Sequence, residues 1–379
     1  MKIAMISEWW DPIYGWGQIH VKYLCQGLVK DFWCTVDLFV RKLIDDTGKK
    51  YHKSEYLLDN KRKIIRTGTT SKFFSTFHRI LRLVQITWIL YRKTKKEKYD
   101  IIHGHALLPG IPIKIISLLT GIPCIYTVHG TMLLDADRKW LLTKIEWFLT
   151  CRITYDLEIS VSKKIFNYKP RSKNIQIIYN GVDLQQIHTL TPKEKYKKTT
   201  FLTVARMDWG KNHQIILEML KNSRNQISAE KIQFIRVWDG VEIQSLKYKV
   251  SKYWLDDYII FKWKLPYQET LQEFQRSHVF LLPSLGEWQP LTVLESFASG
   301  LPVIATDVGD NKEFIQDNKN GILIKAWDQE SLQKAIWYYA SITPEQLAKQ
   351  SEYCIEYSKH YDWSNVVKKT FNCYNNIRC

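Results

Sequence analysis

The chain has 379 residues, 45% of them apolar and 25% charged, which is the balance of a folded soluble protein too large for one hydrophobic core, so two domains are expected. Lys and Arg outnumber Asp and Glu by 55 to 38, a formal charge of +17 that favours anionic partners, phosphorylated small molecules or an anionic membrane; no RNA- or DNA-reading motif accompanies the basic runs, so nucleic acid is not expected. The seven cysteines have no CxxC or CxxH spacing, and their odd number argues against a disulfide framework and points to a reducing cytosol.

In chain order, the N-terminus "MKIAMISEWW" enters a strand with no signal-peptide pattern. "KIAMIS" (2–7) leads to a helical "QIHVKYLCQGLVKDF" (18–32) and then to "CTVDLFV" (34–40). A basic, aromatic stretch, "SKFFSTFHRILRLVQITWILYRKTKK" (71–96), reads as a helix. It is either a surface helix packed on a sheet or one lying on an anionic membrane with Arg79, Arg82 and Lys93 toward lipid. Next come "YDIIH" (99–103), the helical "GIPIKIISLLTG" (110–121), "PCIYTV" (123–128), "LEISVS" (157–162) and "IQIIYN" (175–180). Apolar periodicity lapses through "TPKEKYKKTT" (191–200), a linker signal.

Alternation then resumes with "FLTVAR" (201–206), a helix near 211–222, "KIQFIRV" (231–237), "YIIFKWK" (258–264), "HVFLLPS" (278–284), "LPVIATD" (301–307) and "GILI" (321–324), before a last helix near 364–377. Strands separated by helices imply right-handed βαβ units. The fold class expected is α/β, two doubly wound parallel sheets, with ligands at the carboxyl ends of the strands and in the cleft between domains. No apolar run reaches the roughly 18 residues of a membrane span.

Strand one ends in "EWWDPIYGWGQIH", where Gly15, Trp16 and Gly17 precede a helix; this is an anion-cradling loop or an ordinary βα turn. The pattern is G-x-G-x-x-H, and strand two lacks a ribose-binding acid, so a dinucleotide fingerprint is not met. "ARMDWGKNH" sets Arg206 and Lys211 at a strand end, where a guanidinium fork and an ammonium can grip a diphosphate. In "LGEWQPLTVLE", Pro290 suits a first helical turn, so the N–H groups of Leu291 and Thr292 can face an anion. Glu287 and Glu295 flank that helix start and can accept hydrogen bonds from hydroxyls, the pattern of a sugar nucleotide site. "DAD" (135–137) lacks the context of a metal-binding D-x-D.

The ordered set "YDIIHGH", "TVHGT", "NGVD", "ARMDWGKNH", "FKWKLPYQE" and the E-x7-E of "EWQPLTVLE", spanning nearly the whole length, resembles glycosyltransferase family 4. The resemblance implies a GT-B fold: a Rossmann-like acceptor-binding domain over 1–188, a Rossmann-like donor-binding domain over 189–363, and a helix over 364–379 packing back toward the first. It implies a retaining transfer of a hexose from a UDP- or GDP-sugar to a glycan or lipid-linked acceptor, in surface polysaccharide or glycolipid synthesis, without a metal or other cofactor. Glu295 would bind the donor ribose. Glu287 would hold the hydroxyls of the transferred sugar, and His129 of "TVHGT" would lie near its reacting carbon. Arg206 and Lys211 would neutralise the leaving diphosphate, with Lys264 and Leu265 of "FKWKLP" also in the donor site. The Gly15–Gly17 loop would line the acceptor and phosphate side, and His103 and His105 the cleft wall. The location implied is cytoplasmic, or peripheral on the inner face of the membrane. A sugar-nucleotide epimerase of the same fold and a non-catalytic sugar-nucleotide binder are the alternatives.

Tryptophan stands where such motifs usually have glycine: Trp16, Trp238, Trp254, Trp263 and Trp288, with Trp33 and Trp327 as weaker cases. The chain holds 15 Trp, many for so rare a residue, and 16 Gly, fewer than the usual ~7%. A UGA codon decoded as glycine in the cell accounts for both; true divergence, giving an inactive transferase, and deliberate substitution are the other readings.

Overall fold

The computed structural model describes residues 1–8, 16–44, 50–51, 55–57, 61–67, 75–130, 152–167, 174–191, 193–223, 226, 228–237 and 239–378. The chain divides into two units, Met1–Asn180 with Trp363–Cys379, and Gly181–Asp362.

The first unit is built on β1 (Lys2–Ile6), α1 (Trp16–Lys30), β2 (Thr35–Arg41), β3 (Leu43–Ile44), β4 (Lys50–Tyr51), β5 (Glu55–Leu57), β6 (Arg62–Thr67), α2 (Ser75–Lys96), β7 (Ile101–His105), α3 (Leu107–Thr120), β8 (Cys124–Val128), β9 (Leu157–Ser160), α4 (Lys163–Asn167) and β10 (Ile175–Ile177). Its main sheet runs β10-β9-β8-β7-β1-β2-β6-β5, parallel throughout except for β5, which lies antiparallel on β6; β3 and β4 form a separate hairpin. Both faces are covered, which is why "KIAMI" and "CIYTV" read as unbroken apolar runs. On one face Val21, Leu24 and Leu28 of α1 pack with Val366, Val367 and Tyr374 of the C-terminal helix, Trp363–Arg378. On the other, Ile86 and Leu90 of α2 and Ile113 and Ile116 of α3 cover Phe39 and Ile102. Each such side chain, fully buried, contributes about 1.5–3 kcal/mol.

The sequence reading passed over β6, "RKIIRT", because only Ile64 and Ile65 are apolar; its full register with β2, Val36 opposite Arg62 through Arg41 opposite Thr67, makes it a strand. Of the two readings of α2, a helix packed on the sheet is the one seen, and two of the cations that the other would turn to lipid are paired within the protein. Arg82 is buried, donating to Glu8 Oε2 at 2.6 Å and the Ser7 carbonyl at 3.0 Å, and Lys93 is paired with Asp37 and Glu97 at 3.0 Å each. The Arg79 side chain lies outside the described residues.

The second unit contains α5 (Leu184–His188), β11 (Thr199–Val204), α6 (Gln214–Ser223), β12 (Ile232–Val237), α7 (Ile243–Lys252), β13 (Ile259–Lys262), α8 (Tyr267–Arg276), β14 (Val279–Leu282), α9 (Leu291–Ala298), β15 (Val303–Thr306), α10 (Asn311–Phe314), β16 (Gly321–Ile324), α11 (Gln329–Ser341) and α12 (Pro344–Ser358). Its sheet is parallel, in the order β13-β12-β11-β14-β15-β16, over a core that includes Phe201, Phe234, Leu281 and Ile304. The division between units falls at Asn180/Gly181, ahead of the 188/189 boundary read from the sequence. Local bonds explain this: Val182 N–H donates to the Tyr361 carbonyl at 2.8 Å, Asp183 caps α5, and His188 Nε2 bonds the Ala298 carbonyl at 3.3 Å.

Candidate active site

Each sheet has one place where the strand order reverses, and there the loops at the carboxyl ends diverge and leave room for a ligand. In the second unit it lies between β11 and β14. The loop after β11 carries Arg206 and Lys211, and the loop after β14 carries Glu287 and leads into α9. The two loops are stitched together: Lys211 Nζ donates to Glu287 Oε1 at 2.6 Å, and Leu285 N–H donates to the Gly210 carbonyl at 2.8 Å. Both charged side chains of this pair are largely enclosed. A third loop presses on the same glutamate. Gly309, after β15, has φ 61°, and a Cβ there would stand 1.8 Å from the Glu287 carbonyl oxygen, so only glycine fits.

Glu295 lies in the middle of α9, buried, and accepts a hydrogen bond from the Tyr267 hydroxyl at 2.8 Å. Burial pushes its carboxyl up to about 7, the Tyr267 bond opposing that rise. Pro290 is the N-cap, one residue outside the helix, rather than its first residue; Leu291 and Thr292 are buried in the first turn. Lys264 is exposed and Leu265 half-buried on the segment leading to Tyr267, the residue of that motif that reaches Glu295. Arg206 is mostly exposed and pairs with Asp208 Oδ2 at 3.2 Å rather than joining Lys211 and Glu287.

Two residues here were missed. His213 Nε2 donates to the Arg206 carbonyl at 2.9 Å, so its Nδ1 accepts from Arg236 at 2.7 Å. Burial, with Arg236 beside it, lowers His213 to about 3, and burial lowers Arg236 to about 9. The signal was a single arginine inside the apolar run "IQFIRV".

In the first unit the reversal lies between β1 and β7. Imidazoles gather there: His20 on α1, His103 and His105 on β7, and His129 after β8. His20 Nδ1–H donates to Asn180 Oδ1 at 2.7 Å, and His105 Nδ1 and His129 Nε2 are 3.1 Å apart. The His20 and His129 rings meet edge to face at 4.8 Å. Gly17 lies against the His129 ring, 3.7 Å from where its Cβ would be. Burial lowers His20 to about 4 and His103 to about 3, and holds His105 and His129 well below the usual imidazole value, so the group is neutral at pH 7. His20, His105 and His129 offer ligand atoms within 4.8 Å of one another, a set that can hold a metal ion.

His103 is not a wall residue. It is fully buried and bonded at both nitrogens, to the Tyr374 hydroxyl at 2.6 Å and the Thr127 hydroxyl at 2.7 Å. Ala106, next to His105, has φ 68° and ψ 168°, a strained conformation beside the cluster. Gly15, Trp238 and the "DAD" segment lie outside the described residues, as does the side chain of Trp16, whose backbone opens α1.

Known proteins match along both units. Residues 17–186 match the family described as Glycosyltransferase Family 4, and residues 189–361 match Glycosyl transferases group 1. Over 270 residues the chain is 30% identical to the UDP-Gal:alpha-D-GlcNAc-diphosphoundecaprenol alpha-1,3-galactosyltransferase of Escherichia coli, covering 65% of this chain and 68% of that protein. The chain belongs to glycosyltransferase family 4. It is 22% identical to the phosphatidylinositol N-acetylglucosaminyltransferase gpi3 subunit of Schizosaccharomyces pombe, over 98% of this chain and 80% of that one. Its fold is GT-B, similar to sucrose-phosphate synthase from Thermosynechococcus elongatus (TM-score 0.79, 20% identity, 99% and 98% covered) and to Anabaena HepE solved with UDP (TM-score 0.75, 15% identity, 99% and 100% covered). This glycosyltransferase thus carries a charged constellation at the reversal of its second sheet and a neutral one at that of its first.

Proposed function

We propose that the protein transfers a hexose, with retention of anomeric configuration, from a UDP-sugar to a lipid-linked diphosphate acceptor. The observation that carries this reading is the Lys211–Glu287 pair held at the β11/β14 reversal, with buried Glu295 on the helix that follows. Lys211 would meet the charge growing on the leaving diphosphate, Glu295 the ribose hydroxyls, and Glu287 the transferred sugar. A preplaced cation at that position is worth most in an enclosed site. The E. coli relative, whose name specifies a UDP-Gal donor and a diphosphoundecaprenol acceptor, supports the substrate classes. The reaction requires no metal. Incubation with a panel of UDP- and GDP-sugars and a GlcNAc-diphospholipid tests this, with the product anomer read by NMR. One UDP-hexose should give an α-linked product from an α-linked donor. An inverted anomer would remove the retaining mechanism, and turnover of donor to an epimer without acceptor would replace transfer by epimerisation.

The acceptor's lipid favours a peripheral place on the inner membrane face. Helices α2 and α3 pack side by side, and each leaves an apolar stripe exposed: Leu81, Val84 and Trp88 on one, Ile115, Leu118 and Leu119 on the other. Arg92, whose guanidinium lies 4.8 Å from the Trp88 ring centre, and the exposed Lys95, Lys96 and Lys98 supply positive charge at the end of α2 and just beyond it. An apolar stripe beside cations suits anionic lipid. Cosedimentation with phosphatidylglycerol vesicles, but not with phosphatidylcholine, is expected, and it should be lost in the Trp88→Ser/Leu118→Ser variant. Equal binding of variant and parent would remove this surface.

A further inference from the structure

Among the described residues six that are not glycine have positive φ: Trp33, Ala106, Asn212, Trp254, Asn318 and Trp327. Asparagine tolerates the left-handed region, and Ala106 sits beside the histidine cluster; tryptophan has no such excuse. Yet tryptophan, 15 of 379 residues, supplies half of the set. The clearest case is the end of α7. Trp254 N–H donates to the Ser251 carbonyl at 3.1 Å and Leu255 N–H to the Val250 carbonyl at 2.9 Å, with φ 57° at Trp254. The end of α9 repeats the motif: Gly300 N–H to Phe297 at 2.9 Å, Leu301 N–H to Ser296 at 2.8 Å, and φ 74° at Gly300. This is the Schellman cap, whose left-handed residue is usually glycine. Trp33, φ 55°, follows the end of α1, where Cys34 N–H returns to the Leu28 carbonyl at 2.9 Å. Trp327, φ 65°, is the third residue of a turn closed by Asp328 N–H on the Lys325 carbonyl at 3.3 Å, again a glycine position.

The side chains repay the backbone little: Trp33 meets the Lys61 ammonium 4.2 Å from its ring centre and Trp327 the Trp209 ring at 6.1 Å, both contacts of exposed rings. Trp33, Trp254 and Trp327 are 75%, 78% and 58% exposed. Trp363 contrasts with them: it is buried, stacked on Tyr23 with ring centres 5.0 Å apart, and has an ordinary φ. We infer that positions 33, 254 and 327 are glycine in the cellular protein, encoded by UGA read by a glycine tRNA, while position 363 is a true tryptophan encoded by UGG. Backbone and motif agree at Trp254, and the backbone raises Trp33 and Trp327, the weaker cases by motif, to stand beside it. Trp263 and Trp288 have no positive φ, so for them the argument stays with the motif. The inference holds whether or not the proposed transfer reaction does.

The gene and the protein from its own cells decide it. UGA codons at 33, 254 and 327, UGG at 363, and peptide masses with glycine at the first three are expected. UGG at 33, 254 and 327, or tryptophan masses there, would overturn it. On the tryptophan-bearing chain, Trp254→Gly should raise Tm by about 2–4 °C and Trp254→Ala should not, since alanine keeps the left-handed penalty. Equal gains from both would assign the effect to the exposed indole and overturn the backbone argument.

Discussion

The two strand reversals share a topology and differ in chemistry. At β11/β14 a lysine and a glutamate on the two loops, and a second glutamate on the helix that follows, stand beside the reversal. At β1/β7 the space is filled by imidazoles that burial keeps neutral. The doubly wound fold fixes where a ligand can sit, and the side chains at the strand ends decide what it can be. A diphosphate suits the first place. A neutral, hydroxyl-rich group that needs donors and acceptors without net charge suits the second.

The sharpest way to break this contrast is to remove the charge. Lys211→Ala is expected to lower kcat about 10²–10³-fold, as for loss of one preplaced donor to a developing anion, together with some loss of Tm because the enclosed Glu287 loses its partner. Glu287→Ala should lower activity too, and the double variant should fall short of the product of the two effects because the partners touch. If Lys211→Ala lowers Tm but leaves kcat intact, the pair only ties two loops together.

Much of the charged site was legible because its residues come from compact motifs: "ARMDWGKNH" and "EWQPLTVLE" each bring several groups to one strand end. Tyr267 escaped because its hydroxyl meets Glu295 across 28 positions, which no local pattern records. The sequence puts Arg206 at the same strand end but does not show its partner: the exposed guanidinium pairs with Asp208 two residues on. The alternating strands and helices were readable from apolar periodicity, but β6 was not, because it is a strand by register rather than composition. His103 was misplaced because "HGH" on a strand sends both histidines to one side of the sheet, where both are buried, and only their distant partners separate the one bonded to Tyr374 from the one beside His129.

A second test uses acidity. The Glu295 carboxyl is held neutral up to about 7 in the fold but ionises near 4.5 in the unfolded chain. The folded state therefore binds the extra proton between those values. The contribution is fully present below about 4.5 and is lost as pH rises to about 7, at a cost of up to about 3 kcal/mol. Urea midpoints should fall over that range, and Glu295→Gln should flatten the fall while weakening donor binding. Donor affinity of the parent should rise with pH through 7, as ribose hydroxyls meet a carboxylate. A parent and variant with the same pH profile would show that Glu295 does not control it.

At the neutral site the expected effects are smaller. His129→Ala should lower kcat/KM about 10-fold, the loss of one hydrogen bond of about 1.4 kcal/mol, with no pH step near neutrality because burial holds the imidazole well below its usual value. Chelation should do nothing at all. His20, His105 and His129 lie close enough to hold zinc, and His20, with Nδ1–H on Asn180, keeps Nε2 for an ion; but in the His105–His129 bond the accepting ring carries its proton on its other nitrogen. A three-histidine ion would have to displace that bond. Unchanged turnover after EDTA would keep the cluster as a neutral partner for hydroxyls. Loss restored by Zn²⁺ and not by Mg²⁺ would make both reversals charged when working, and the contrast between them would vanish.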